Sequence, residues 1–133
     1  MTHAHAGYHR VMPAVFLQTI AKVPSNGQTM LTHYALPETK GIRFYLSKDH
    51  SSGFGIINHE LVNLFSLVKG KGKRALHAAI AKGADHLNCF DTWLVSFYSK
   101  HGFVEVKREA NWTAGQPDVI YMQLDADKAT QVA

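Results

Sequence analysis

One run of side chains stands out for chemistry: Lys69-Gly70-Lys71-Gly72-Lys73-Arg74. It lies between an apolar stretch, residues 61–68, and the start of a helical pattern. Glycine at such a junction lets successive backbone N–H groups turn towards one point without hindrance from a Cβ. The helix beyond adds its unpaired first-turn N–H groups and the positive end of its dipole. Four basic side chains add full charges. The combination is an anion site, and a di- or polyphosphate suits it. A second cluster, His3, His5 and His9, has the spacing H-x-H-x-x-x-H that could bring imidazoles to a metal. No carboxylate or cysteine nearby completes a ligand set, so the expectation is solvated histidines on a loose terminus and no metal. Cys89 is the single cysteine. It excludes a disulfide framework and a tetrathiolate zinc site.

The elements that must hold the loop follow from periodicity. Val15, Phe16, Thr19, Ile20 and Val23 recur at three- and four-residue steps, which predicts a helix over 13–22. Pro24-Ser25-Asn26-Gly27 should stop it. Residues 29–35 fit a short strand, and 36–41 a turn around Pro37. Ile42, Phe44 and Leu46 alternate with Arg43, Tyr45 and Ser47, as in a half-buried strand. A polar turn over 48–53 and a return strand over 54–57 make a hairpin. Asn58-His59-Glu60 leads tightly into 61–68, which is apolar on both faces as a central strand would be.

Beyond the basic loop, a helix over 73–82 places Leu76, Ala79 and Ile80 on one face and ends at Gly83. A strand through Leu87 and Cys89 follows. Asp91 or Thr92 can cap the next helix, whose stripe is Trp93, Leu94, Phe97 and Tyr98. Strands over 103–107 and 118–124 close the chain around a loop at 111–117. Residues 1–12 and 125–133 are expected to be loose termini.

The loop lacks the spacing of a Walker A motif, and no Ser or Thr follows its lysine to hold Mg²⁺. It lacks the Rossmann pattern as well. It resembles the pyrophosphate loop of the GNAT acetyltransferases, [QR]-x-x-G-x-[GA] at a strand-to-helix junction. Lys69 then stands in the Gln/Arg place, Gly72 in the first Gly place and Arg74 in the last. Lys69 and Arg74 depart from the pattern. Phe97-Tyr98-Ser99-Lys100-His101-Gly102-Phe103 is similar to the family's hydrophobic-Tyr-x-x-x-Gly-Phe ending, with Asp91 where the family often has Asn. The resemblance covers residues 42–124.

That resemblance implies an α+β fold, a GNAT-like, mostly antiparallel mixed sheet with a splayed strand pair, and acetyl-CoA as cofactor. The pantetheine arm would pair with backbone groups of Phe65, Ser66, Leu67 and Val68. The pyrophosphate would sit on Lys69, Gly70, Lys71, Gly72, Lys73 and Arg74, with Asp91 near the cofactor. Tyr98 would protonate the departing thiolate, since a phenol is the family's usual general acid. Glu60 would take the proton of an attacking amine, directly or through water. Polar Asn63 and Ser66, in an otherwise apolar strand, could touch ligand or bond a neighbouring strand. Two other readings stay open: a catalytically silent GNAT-fold binding protein or phage-type accessory factor, and a nucleic-acid-directed transferase.

Composition sets the bounds. The chain has 133 residues, 46% hydrophobic and 18% charged. That suits one folded domain spanning 1–133 with its own core. No apolar run reaches the roughly 18 residues of a membrane span. No charged segment with an apolar core opens the chain, so a cytoplasmic location is expected. The net charge of +4 and pI near 9.3 invite a nucleic-acid partner. Four of the basic residues sit in the loop, however, where one phosphate-rich cofactor would account for them.

Overall fold

The structure, a computed structural model, describes residues 7–125. The described chain forms two compact units that divide between Ala84 and Asp85. His3 and His5 lie outside the described residues, as does most of the expected C-terminal tail.

The first unit carries an antiparallel four-stranded arrangement in the order β1-β2-β3-β4. Its strands are β1 (Tyr8–Val11), β2 (Arg43–Ser47), β3 (Ser52–Ile57) and β4 (Glu60–Ser66). Helices α1 (Pro13–Ile20) and α3 (Lys71–Ala81) pack against it, and a single helical turn, α2 (Ser25–Gln28), follows α1. Pro13 opens α1 behind Met12, a position where proline's missing N–H is not needed. The α1 stripe buries Phe16 and Ile20 against Ile42, Phe44, Leu46 and Phe65. Phe16 stacks on Phe44 at 4.4 Å and meets Phe65 edge-on at 5.6 Å.

Four expectations need correction here. Residues 8–11 are not loose: Tyr8 to Val11 pair with Ser47 to Phe44, and the Tyr8 hydroxyl bonds the Ser52 hydroxyl at 2.7 Å. Two aromatic or β-branched residues at Tyr8 and Val11 suffice once an edge is offered to them. The first helix does stop before Pro24-Ser25-Asn26-Gly27, but it closes at Ile20 and not at residue 22, and the stretch itself contributes to the separate turn α2. Residues 29–35 form no strand; the regular piece between α2 and β2 is a 3-10 turn, Leu36–Thr39. Helix α3 begins at Lys71, two residues earlier than its apolar pattern indicates.

The hairpin from β3 to β4 turns on Asn58 and His59, both with positive φ (49° and 67°). That is the signature of the two-residue turn whose twist matches its strands. Inside β4 the register slips: Gly53 faces Phe65 but Gly55 faces Val62. One residue of β3, Phe54, therefore opposes two of β4, Asn63 and Leu64. Asn63 takes φ +51° at this bulge.

The second unit holds β5 (His86–Phe90), α4 (Trp93–Ser99), β6 (Phe103–Glu109) and β7 (Val119–Leu124). β7 lies between β5 and β6, antiparallel to both. The Thr92 hydroxyl accepts from Leu94 N–H at 3.2 Å and caps α4, so the cap is Thr92 and not Asp91. Asp91 is drawn instead to Arg108 at 2.6 Å, which also meets Asp118 and Glu105. Among the described residues no helix is long and apolar enough to cross a membrane.

Candidate active site

The basic run sits where β4 hands over to α3, but it is mostly helix rather than loop. Only Leu67 to Gly70 connect the two, and Gly70 is the residue that needs glycine, at φ +89°. Lys71, Gly72, Lys73 and Arg74 form the first helical turn. The N–H groups of Lys71, Gly72 and Lys73 precede any helical carbonyl that could accept from them, whereas Arg74 N–H is the first with an i−4 acceptor, at the N-cap Gly70. Lys71 N–H is already used, donating to Val68 O at 3.2 Å. The Gly72 and Lys73 amides are the ones the helix itself leaves over, at the positive end of its dipole.

The connection is braced from within. The Ser66 hydroxyl accepts from Val68 N–H at 3.2 Å and donates to Val68 O at 2.5 Å. Leu67 N–H donates to Ser51 O at 2.6 Å. Of the four residues expected to offer backbone to an extended ligand, Leu67 and Val68 thus have their N–H groups engaged. Phe65 pairs with Gly53 on β3. Backbone groups alternate sides along a strand, so Ser66 is the residue whose N–H and C=O point away from β3.

The basic side chains are not equivalent. Lys71 Nζ lies 3.4 Å from Asp49 Oδ2 and 3.5 Å from Ser51 Oγ. The hydroxyls of Ser51 and Ser47 and the Ser51 amide converge on Asp49, and they hold its carboxyl well below the usual range. Lys69, Lys73 and Arg74 make no ion pair among the described residues. Nothing in the sequence marks Lys71 as the paired one, because its partner stands 22 positions earlier.

Glu60 starts β4, at the end of the strand remote from the basic run. Six steps of roughly 3.3 Å separate it from Ser66, on the order of 20 Å. Its charge reaches the half-buried Tyr34, whose phenol is raised chiefly by burial and then by Glu60.

Tyr98 and Asp91 belong to the second unit. Tyr98 is 7% exposed and packs against Phe97 and Phe103, with ring centroids 5.2 and 5.8 Å away. Its hydroxyl makes no hydrogen bond among the described residues. Burial pushes this phenol far above its ordinary value, with the neighbouring Cys89 thiol adding a smaller push. Cys89 is itself pushed up to about 11, first by burial and then by Asp91. Asp91 is committed to Arg108, whose guanidinium is held charged by Glu105, Asp91 and Asp118. Among the described residues no group of three His, Cys, Asp or Glu side chains converges as a metal site would require.

The sequence reading missed the Asp49–Lys71 pair, the closeness of Cys89 to Tyr98, and the use made of Asn63. Only the last had a signal, a polar residue in an apolar strand. Its carboxamide bonds the backbone of Thr32, not a ligand.

No family model matches the chain, and no curated protein matches it in sequence. Solved structures do match in shape. A chimera of the spermidine N-acetyltransferase SpeG from Vibrio cholerae with hSSAT aligns over 94% of this chain and 99% of its own, with TM-score 0.64 and 13% identity. The apo form of YjaB from Escherichia coli aligns over 88% of this chain and 95% of its own, with TM-score 0.56 and 14% identity.

Proposed function

The chain has the GNAT fold, and we propose that residues 1–133 act as an acetyl-CoA-dependent N-acetyltransferase working on a primary amine in the cytoplasm. The observation that carries this reading is Tyr98. A buried hydroxyl without a partner is unfavourable by about 1–3 kcal/mol. A departing thiolate is a partner of the right chemistry for such a group. Burial also keeps the phenol protonated at neutral pH, the state that a general acid needs.

The other roles follow. The amine nitrogen attacks the thioester carbonyl, a C–N bond forms and the C–S bond breaks. Tyr98 gives its proton to the sulfur. Glu60 takes the amine's proton directly or through water. The N–H groups of Gly72 and Lys73, with Lys73, Arg74 and Lys69, hold the pyrophosphate. Ser66 offers its backbone to the pantetheine arm as a missing strand would.

The test is a thermal melt with acetyl-CoA, followed by free-thiol release with amines. Ligand at 100 times its dissociation constant should stabilise the fold by roughly 2.7 kcal/mol. No shift at millimolar acetyl-CoA removes the proposal. A shift without thiol release across an amine panel leaves a binding module instead.

A second reading, transfer directed at nucleic acid, draws on Lys69, Lys73 and Arg74 being outside any ion pair among the described residues. It requires RNA or DNA to stay bound, with its salt dependence intact, at saturating CoA. Competition between the two ligands excludes it.

A further inference from the structure

We infer that Asn63 is a positioning residue for the acceptor side: its carboxamide clamps Thr32 to the bulge of β4 and thereby holds the segment carrying Tyr34 over the strand that carries Glu60, where a cationic aliphatic amine would enter. That an amine enters there depends on the acetyltransferase reading above; the clamp itself does not.

The clamp is reciprocal. Thr32 N–H donates to Asn63 Oδ1 at 2.7 Å, and Asn63 Nδ2 donates to Thr32 O at 2.8 Å. Both backbone groups of one residue are thus satisfied by both ends of one carboxamide, 31 positions away. Asparagine tolerates φ +51° and carries a donor and an acceptor side by side on one carboxamide, so it can meet the N–H and the C=O of a single residue. Asn63 is 8% exposed, so a carboxamide left unbonded there would be unfavourable.

The clamped segment is otherwise tied by packing of Leu31 and Tyr34 on the core and by bonds to its own neighbours, such as Met30 N–H to Gly27 O and Leu31 N–H to Gln28 O. Residues 29–35 lie in no strand. Ala35 N–H goes to Glu38 Oε1 at 2.6 Å, and His33 Nε2 pairs with Gln28 O at 2.9 Å, so both of these contacts are within the segment's own neighbourhood. Thr32 is a point at which this stretch is hydrogen-bonded to the sheet. Two residues on, Tyr34 rests against the core and within reach of the Glu60 charge. An aromatic ring within the field of a carboxylate attracts an ammonium group. The bulge ties the segment with this ring to the strand that also carries Glu60. One residue thus governs both the strand's local twist and the place of the facing segment.

Two variants separate the clamp from the backbone strain. Asn63→Gly keeps the left-handed conformation and removes the carboxamide. Asn63→Asp keeps the acceptor for Thr32 N–H and loses the donor. Amide exchange across residues 31–35 should rise about tenfold or more in Asn63→Gly and by less in Asn63→Asp. The acetyl-CoA thermal shift should survive in both. With spermidine as the probe amine, KM should rise about tenfold while kcat changes little. Unchanged exchange in both variants overturns the clamp. Faster exchange with an unchanged spermidine KM overturns its role towards the acceptor. A wild-type protein that leaves spermidine unmodified counts against the amine surface at Tyr34 and Glu60, and the exchange data then decide the clamp alone.

Discussion

Lys71 and Asp49 face each other at 3.4 Å, so the first lysine of α3 is turned towards the β2–β3 turn. Both side chains are substantially exposed, and such a pair contributes little to stability. Its effect is on charge placement. Lys71→Ala should weaken CoA binding less than Lys73→Ala or Arg74→Ala, where the full charge is available to phosphate. Calorimetric titration of the three variants checks the order, and equal losses would show that Lys71 leaves Asp49 to bind.

Tyr98→Phe should divide activity from stability. Thiol release should fall about 10²-fold or more, with CoA affinity unchanged. The melting temperature should hold or rise, because the variant removes a buried hydroxyl that has no partner among the described residues. A clear loss of stability would mean that the hydroxyl is bonded in solution, and that its role is structural.

Cys89 gives a pH signature. Its thiol ionises near 11 when folded, against the ordinary 9.0. A raised acid constant means that the folded chain holds the proton more tightly. The stability this contributes is whole below pH 9 and is lost as pH rises towards 11. The stability difference between wild type and Cys89→Ala should therefore be flat below pH 9 and shift against the wild type above it, in urea melts. At pH 8 the folded thiol should react with iodoacetamide about 10²-fold more slowly than an unperturbed one.

Gly53→Ala should destabilise the fold by about 1–3 kcal/mol, measured by denaturant unfolding. An added Cβ would come within 2.3 Å of Tyr45 O and 2.8 Å of Leu46 Cδ2. The first is backbone in a paired strand and cannot swing aside. A wild-type midpoint for this variant would show that β2 and β3 can part without penalty.

Much of this frame was legible in the sequence. Alternation gave β2 from Phe44 and Leu46, and the Tyr98-to-Phe103 ending gave the helix that runs into β6. Local patterns carry such elements because each residue's face is set by its immediate neighbours. What the sequence hid depends on distant partners. Tyr8 becomes strand only because β2 offers an edge 35 positions later. Asn63 looks like a ligand contact until Thr32 appears beside it. The apolar period of α3 starts at Leu76, so it says nothing of the polar first turn that begins at Lys71. Residues 29–35 alternate weakly and contain apolar side chains, yet their backbone turns to a side chain in place of a strand.

The pairing of β1 with β2 bears on the order in which the first unit assembles. β2, β3 and β4 follow one another through short turns, so their contacts form between near neighbours in the chain. Val11 and Phe44 are 33 positions apart. Closing that loop carries an entropic penalty that the meander does not. The N-terminal strand is thus expected to dock last, onto an edge already made. Until it arrives, β2 shows an open row of peptide groups, and a second chain's β1 would fit that row as well as its own. Refolding at high protein concentration is where such exchange would first be seen.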